Sequence, residues 1–251
     1  MGTGTAVTPL AVRPHRLPVP HEPVWVTAES GGVTGVVVLL HAIGENRTGN
    51  NYLLRQVSDG CAASGLAAVR FDLPGCGESR SRLDIDAIDA RVFEVTDAVV
   101  QRYPEVPVHW IARGLSAALL PDESDPRTGL RIALSPPDAG RLQSALADAP
   151  TVLAPRQPLT PDEVWTWTQI GAEPNLVGGL EVTTGLLRML CDRLDPPRWD
   201  VAIVSAAAAH QSGLRLSTAD PLFRAESDRA ALSVLVARLV RSWPRWCRAH
   251  S

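Results

Sequence analysis

Lysine is absent from the sequence, so all 24 Lys-or-Arg positions are arginine, set against 27 acidic residues. The formal net charge is −3 and the pI is about 6.1. Nucleic-acid binding requires a basic stripe or patch on the protein surface. The arginines are instead scattered along the chain and form no such stripe. Nucleic acid is therefore excluded as an expected partner.

Cysteine is scarce and is poorly spaced for metal or redox chemistry. The four residues lie far apart, with neither a CxxC pair nor a Cys/His ligand spacing: Cys61, Cys76, Cys191 and Cys247. We expect buried thiols, no metal site and no cofactor.

Long apolar runs are also missing. No segment approaches the roughly 18 residues of a membrane span, and the N-terminus lacks a basic stretch followed by an apolar one. These absences predict a cytoplasmic protein without a membrane span. A length of 251 residues, 45% of them hydrophobic, allows one sizeable core, so we predict a single domain over residues 1–251 and leave the oligomeric state open.

Short β-branched runs alternate with apolar stripes at helical spacing. Val36–Leu40 is the best candidate for a central strand, and residues 24–26 are a candidate edge strand after a Pro-rich arm or edge lead-in over residues 1–22. Further strands are predicted at 67–71, 106–111, 130–134, 201–204 and 214–216, with helical stripes at 53–61, 85–99 and 232–240. This alternation predicts an α/β protein with a mostly parallel, doubly wound sheet.

Three segments that follow predicted strands contain glycine turns: HAIG (residues 41–44), RFDLPGCGES (70–79) and ARGLS (112–116). In this order they resemble the α/β-hydrolase superfamily. The resemblance implies an α/β-hydrolase fold with a small helical cap, for which residues 139–197 are the candidate insertion. Glu45, Asn46 and Arg47 after the first turn, with CGES at 76–79, most resemble the exosortase-associated hydrolases.

The resemblance also implies an oxyanion hole, built from the backbone N–H groups of Ala42, Ile43 and Leu115. His41 matches the histidine that precedes this hole in the superfamily. It is a candidate for acid–base chemistry, and the alternative is that it only shapes the turn through hydrogen bonds.

A nucleophile elbow needs small residues two positions before and after the nucleophile. With Ala112 and Ser116 in those places, Gly114 occupies the nucleophile position and no side chain is available to attack a carbonyl. A second register makes Ser116 the nucleophile, but it puts Arg113 into a buried strand, where an unpaired charge is costly. A third register, with Ala112 as nucleophile, places bulky Trp110 where a glycine belongs.

The remaining triad positions are equally unusual. Where the superfamily has its acid and its histidine, this sequence has Ala209-His210-Gln211 and Asp220-Pro221. A rewired triad of Ser116, His210 and Asp220 stays open.

Polar groups are nevertheless expected to gather at the pocket mouth. The candidate catalytic residues are His41, Glu45, Arg113 and, in the alternative register, Ser116. The candidate substrate-binding residues are Arg47, Gly114, Trp165, Trp167, His210 and Asp220. The alternative is that Glu45–Arg47 and Asp220–Arg224 are loop ion pairs and that the tryptophans only pack the cap.

Three functions are compatible with this pattern. The first is a tailoring enzyme that acts non-covalently, as an isomerase, epimerase, cyclase or lyase, on a small carbonyl substrate, such as a peptide-derived one; some peptide-natural-product epimerases resemble this case. The second is a serine esterase that uses Ser116. The third is a non-catalytic pseudohydrolase that binds a small molecule or peptide.

Overall fold

The computed structural model describes residues 13–17, 19, 22–28, 32–122, 127–147, 176–177, 180–206, 208 and 213–250. The strands are β1 (Arg13–Leu17), β2 (Val24–Ala28), β3 (Val36–Leu40), β4 (Ala67–Phe71), β5 (Val108–Arg113), β6 (Thr128–Leu134), β7 (Leu176–Val177), β8 (Leu180–Glu181), β9 (Val201–Ser205) and β10 (Leu214–Leu216). The helices are α1 (Leu53–Ala62), α2 (Ile85–Arg102), α3 (Ala139–Ala147), α4 (Thr184–Asp192) and α5 (Glu226–His250).

Eight strands form one sheet in the order β1-β2-β4-β3-β5-β6-β9-β10. The β1–β2 and β2–β4 pairs are antiparallel and the other pairs are parallel, which confirms the predicted mostly parallel sheet. The predicted strand at residues 24–26 is present as part of β2, but its predicted edge position was wrong, because β1 pairs with the outer side of β2. Strand β1 gave little signal since Leu17 is its only large apolar side chain.

Helices cover both faces of the sheet, so the central strand β3 is buried along its whole length. Val36, Val38 and Leu40 belong to a core that includes side chains of α2, α3 and α4. Val37 and Leu39 belong to the opposite core, with α1 and α5. Burial on both faces explains why the strand is apolar without alternation.

A buried ion pair ties β6 to the chain that enters β9. The Arg131 side chain donates from Nη2 to Asp200 Oδ1 at 2.7 Å and from Nε to Asp200 Oδ2 at 3.2 Å. The Arg131 backbone N–H donates to the same carboxylate at 2.8 Å. This fork geometry fixes the start of β9 against its neighbour.

The β5–β6 pairing contains a bulge that is filled by a histidine. Val108 pairs with Thr128 and Trp110 with Arg131, so two residues of β6 oppose His109 alone. The His109 Nδ1 atom accepts the Leu130 N–H at 3.0 Å. The buried imidazole thus hydrogen-bonds an N–H group at the irregularity in the ladder.

No helix in the described part of the chain combines the length and the apolarity needed to cross a membrane.

We predict that His109 makes the fold acid-sensitive between pH 6.5 and 4. Burial lowers the pKa of His109 from 6.5 to about 4, so in this window the unfolded chain binds a proton that the folded chain does not. Its contribution to the free energy of unfolding therefore falls as pH falls, by about 3 kcal/mol in full. Urea unfolding of wild type and His109→Asn at pH 7 and pH 4.5 measures the difference.

The asparagine keeps an acceptor near Leu130 but does not titrate, so His109→Asn should lose less stability on acidification than wild type. The exposed His15 provides the matched control, and His15→Asn should follow wild type. Equal acid sensitivity of wild type and His109→Asn would contradict this role.

Candidate functional site

The turns after β3, β4 and β5 meet at one edge of the sheet. Leu39 pairs with Arg70, and Leu40 pairs with Ala112, so the three strands end at matching levels. Because the strands are parallel neighbours, their three glycine turns lie side by side. The described edge therefore brings together the segments that contain most of the predicted site residues.

His41 joins all three turns. Its ring is fully buried; Nδ1 donates to Ala42 O at 2.8 Å and Nε2 accepts the Leu73 N–H at 2.9 Å. Its carbonyl oxygen accepts the Ser116 hydroxyl at 2.6 Å. Burial lowers the pKa of His41, which favours the neutral ring. Both ring nitrogens are engaged by backbone, and this geometry favours the loop-shaping interpretation of His41 over an acid–base role.

The elbow after β5 has a glycine at its bend. Gly114 has φ +57°, a left-handed conformation that glycine adopts without strain, and it begins a 3₁₀ turn over Gly114–Leu119. Ser116 lies inside this turn with no exposed surface, and its hydroxyl is bonded to His41. This arrangement matches the register in which the nucleophile position has no side chain.

The three proposed oxyanion-hole residues lie in the same turns. Ala42 and Ile43 follow His41, and Leu115 follows Gly114; all three are buried. Their positions place the backbone of the turn after β3 beside the backbone of the elbow after β5.

Arg113 occupies the position that sequence reasoning had treated as unfavourable. It ends β5, is 2% exposed, and donates from Nη1 to Glu45 Oε1 and from Nη2 to Leu222 O at 3.4 Å. The argument that a buried arginine disfavours the Ser116 register was therefore wrong, because Glu45 neutralises the charge. The left-handed Gly114 and the buried Ser116 hydroxyl are better evidence on the register.

Glu45 has one bonded and one unbonded carboxylate oxygen. Oε1 accepts from Arg113, whereas Oε2 is buried and has no hydrogen-bond partner among the described residues. The side chain as a whole is 16% exposed. The alternative interpretation, in which Glu45 forms a loop ion pair with Arg47, was wrong, since Glu45 pairs with Arg113.

Arg47 binds Asp72, a residue that sequence reasoning did not select. The Arg47 backbone N–H donates to Asp72 Oδ1 at 2.6 Å, the guanidinium donates to Oδ2, and Glu78 lies 3.2 Å from the same Nη1. A Cβ atom at Gly77 would lie 2.4 Å from the Asp72 carboxylate, so glycine is required there. The aspartate of the RFD segment is the signal for this contact in the sequence.

Asp220 caps its own turn. It accepts from the N–H of Leu222 at 3.0 Å and from both the N–H and Nε of Arg224 at 2.9 Å, so the expected Asp220–Arg224 ion pair is present. Burial raises the pKa of Asp220, but the hydrogen bonds from Arg224 and Leu222 outweigh it and hold the pKa below its usual value. The Leu222 carbonyl reaches Arg113, which brings this turn beside the elbow.

Three predicted residues, Trp165, Trp167 and His210, lie outside the described residues, as does most of the predicted cap. Of that cap, α3 and α4 are described; they pack against each other, and α4 also contacts the turn after β5. Within the described ranges, no group of three or more His, Cys, Asp or Glu side chains is arranged to hold a metal ion.

Comparison with known proteins gives structural matches only. No family model matches the sequence, and no curated protein matches it. A ferulic-acid-bound Est1E from Butyrivibrio proteoclasticus has a TM-score of 0.63 at 11% identity, covering 92% of this chain and 99% of that one. A Pyrococcus furiosus esterase has a TM-score of 0.58 at 12% identity, covering 93% and 91%.

Other solved structures give the same result. The mouse alpha/beta hydrolase domain-containing protein 10 has a TM-score of 0.57 at 13% identity, covering 92% of this chain and 99% of that chain. At these identities the similarity concerns the fold alone. The eight-stranded sheet, the three turns at its edge and these neighbours together show that the chain has the α/β-hydrolase fold.

Proposed function

We propose that this α/β-hydrolase-fold protein is a tailoring enzyme that forms no covalent intermediate and uses Glu45 to move a proton on a small carbonyl substrate, such as a peptide-derived one. The observation that carries the proposal is the Glu45–Arg113 pair beside an elbow that has the left-handed Gly114 at its bend. One carboxylate oxygen is fixed by Arg113, and the other is unbonded but buried, so it accepts a proton from a substrate only after neighbouring side chains move aside.

The surroundings of Ser116 support a non-covalent reaction. A serine nucleophile must reach the carbonyl and must give its proton to a base. Ser116 instead is fully buried and donates its hydrogen to a backbone oxygen. His41, the histidine nearest to it through this bond, has both ring nitrogens engaged. These contacts disfavour the serine-esterase alternative.

The proposed step is proton transfer next to a carbonyl group. Glu45 takes a proton from the carbon beside the carbonyl, and the electron pair moves to the carbonyl oxygen. The backbone N–H groups of Ala42, Ile43 and Leu115 are assigned to that oxygen, as in an oxyanion hole. Return of the proton to the opposite face of the same carbon gives an epimer, and return to another atom of the substrate gives an isomer. In both cases the proton is given back, so no co-reactant is consumed.

Arg113 is assigned a positioning role. Its planar guanidinium and its backbone placement at the end of β5 hold Glu45 in one orientation. Since the two charges cancel, the pair does not attract a cationic or anionic ligand strongly, which fits a neutral carbonyl compound.

A thioesterase domain from the curacin biosynthetic pathway is among the structural neighbours, at a TM-score of 0.52 and 14% identity, and it supports natural-product chemistry. A cytoplasmic location stays a prediction from the sequence.

We predict that an activated-phosphonate serine probe does not label the protein. Ser116→Ala should leave any native turnover within a few-fold and lower stability by about 1 kcal/mol, because it removes one buried hydrogen bond. Intact-mass spectrometry after probe treatment and urea unfolding measure the two effects. Ser227→Ala, at an exposed position of α5, is the control. Stoichiometric labelling that disappears in Ser116→Ala would establish the esterase instead.

We predict that wild type catalyses exchange of the hydrogen beside a carbonyl when peptide-type ketones, esters and thioesters are incubated with it in D₂O. Glu45→Gln should slow this exchange by about 10²-fold or more, because the amide still accepts from Arg113 but is not a base. Mass spectrometry follows the deuterium, and calorimetry checks that the ligand still binds. Glu105→Gln, at an exposed position after α2, is the matched control.

Exchange that persists at the wild-type rate in Glu45→Gln would remove Glu45 from the reaction. Binding without exchange across the whole panel would favour the non-catalytic pseudohydrolase.

A further inference from the structure

A second cluster of polar groups involves strands β2 and β4 and helix α1, and includes neither Glu45 nor Arg113. Four buried polar atoms without a hydrogen-bond partner among the described residues belong to β2, β4 and α1: Trp25 Nε1, Thr27 Oγ1, Ser58 Oγ and Arg70 Nε. All four are hydrogen-bond donors. Unsatisfied buried donors are rare in native proteins, and four in neighbouring elements require an explanation.

Sheet register places three of these groups, those of Trp25, Thr27 and Arg70, on one face of the sheet. Trp25 pairs directly with Arg70, so their side chains share a face of the sheet, and Thr27 lies on the same face two residues along β2. On β4 the neighbouring same-face residue Ala68 belongs to the core beneath α1 and α5. Helix α1 packs over β4 and β2, and Ser58 is fully buried on it.

Arg70 is the charged member of this cluster. It is 9% exposed, and no carboxylate in the described part of the chain forms an ion pair with it. Burial lowers the pKa of Arg70; Asp59 opposes this effect, while Arg55 and Arg47 add to it. A desolvated guanidinium that no carboxylate contacts directly is unfavourable, so the site favours an anion.

The surroundings are rich in guanidinium groups. Arg16 and Arg47 lie 5.0 Å and 5.9 Å from the centre of the Trp25 ring, and Arg55 stands 61% exposed on α1. Three acids moderate this charge: Asp59 lies 3.8 Å from Arg55, and both Asp72 and Glu78 pair with Arg47. Arg16 and Arg70 have no carboxylate partner among the described residues, and of these two only Arg70 is buried.

We propose that Arg70, with the indole N–H of Trp25 and the hydroxyls of Thr27 and Ser58, forms a binding site for an oxyanion, namely the phosphate or carboxylate group of a small ligand. Arg70 supplies the charge, and the neutral donors complete the hydrogen bonding that this structure leaves unsatisfied. Arg55 lies at the solvent side of the site. The proposal does not depend on the chemistry assigned to Glu45.

The test uses inorganic phosphate and acetate as probes, each compared with chloride at equal ionic strength. Wild type should bind at least one of them with a stoichiometry of one by calorimetry, and that anion should raise Tm above the chloride value. The probe that binds more tightly identifies the charged group of the ligand. The Trp25 indole signal, assigned by its loss in Trp25→Phe, should shift in the ¹H–¹⁵N spectrum during the same titration.

Arg70→Met should weaken binding of the anion by about tenfold or more and abolish the rise in Tm. The variant should fold, because it replaces a desolvated cation by an apolar chain of similar length, and its Tm in chloride should equal or exceed that of wild type. Arg238→Met, at an exposed position of α5, is the matched control and should keep wild-type binding. Neither anion exceeding chloride in wild type, or equal binding by Arg70→Met, would overturn the proposal.

Discussion

The edge of the sheet that contains the candidate site depends on one neutral, buried histidine. His41 receives a hydrogen bond from the turn after β4 through Nε2 and one from the elbow after β5 through its carbonyl oxygen, while its Nδ1 closes its own turn. The two ring bonds require a fixed tautomer with the proton on Nδ1, because Nε2 has to accept from Leu73 and Nδ1 has to donate to Ala42. Protonation would turn that acceptor into a donor facing the Leu73 N–H, which burial and geometry both oppose.

Around this histidine the charged groups are arranged in pairs. Glu45 with Arg113 and Asp72 with Arg47 each join different turns, so each pair fixes the position of two segments. Removing one partner of a buried pair costs about 3–5 kcal/mol, because it leaves the other charge without compensation. The pairs therefore limit how far these turns can move apart. Arg70 differs from these residues in having no such partner among the described residues.

The elements with a strong apolar period were predicted from the sequence. The six predicted parallel strands and the helices α1, α2 and α5 are present, because burial on both faces of a strand or on one face of a helix leaves a regular pattern. Strand β1 was not predicted as an element, since an edge strand with one buried large side chain has no such pattern. The glycine turns indicated where the site lies, and the left-handed Gly114 agrees with the predicted register.

The partners of charged residues could not be predicted in the same way. Glu45 and Arg113 are 68 positions apart, and Arg47 and Asp72 are 25 apart, so only the sheet register brings them together. Proximity in the chain suggested Glu45–Arg47, which was wrong, and Asp220–Arg224, which is present because both lie in one turn. Local pairs can be inferred from a sequence, whereas long-range pairs need the strand order.

The arginine-only composition gives these buried pairs a chemical consequence at high pH. A lysine ammonium loses its proton near pH 10.4, whereas a guanidinium keeps its charge until above pH 12. Both charges are therefore kept in alkaline solution by the pairs Arg113–Glu45, Arg47–Asp72 and Arg131–Asp200. A lysine-based pair would lose its positive charge under the same conditions. With no ε-amino group in the chain, reagents that acylate lysine also have no side-chain target, so the turns around the elbow are inert to that chemistry.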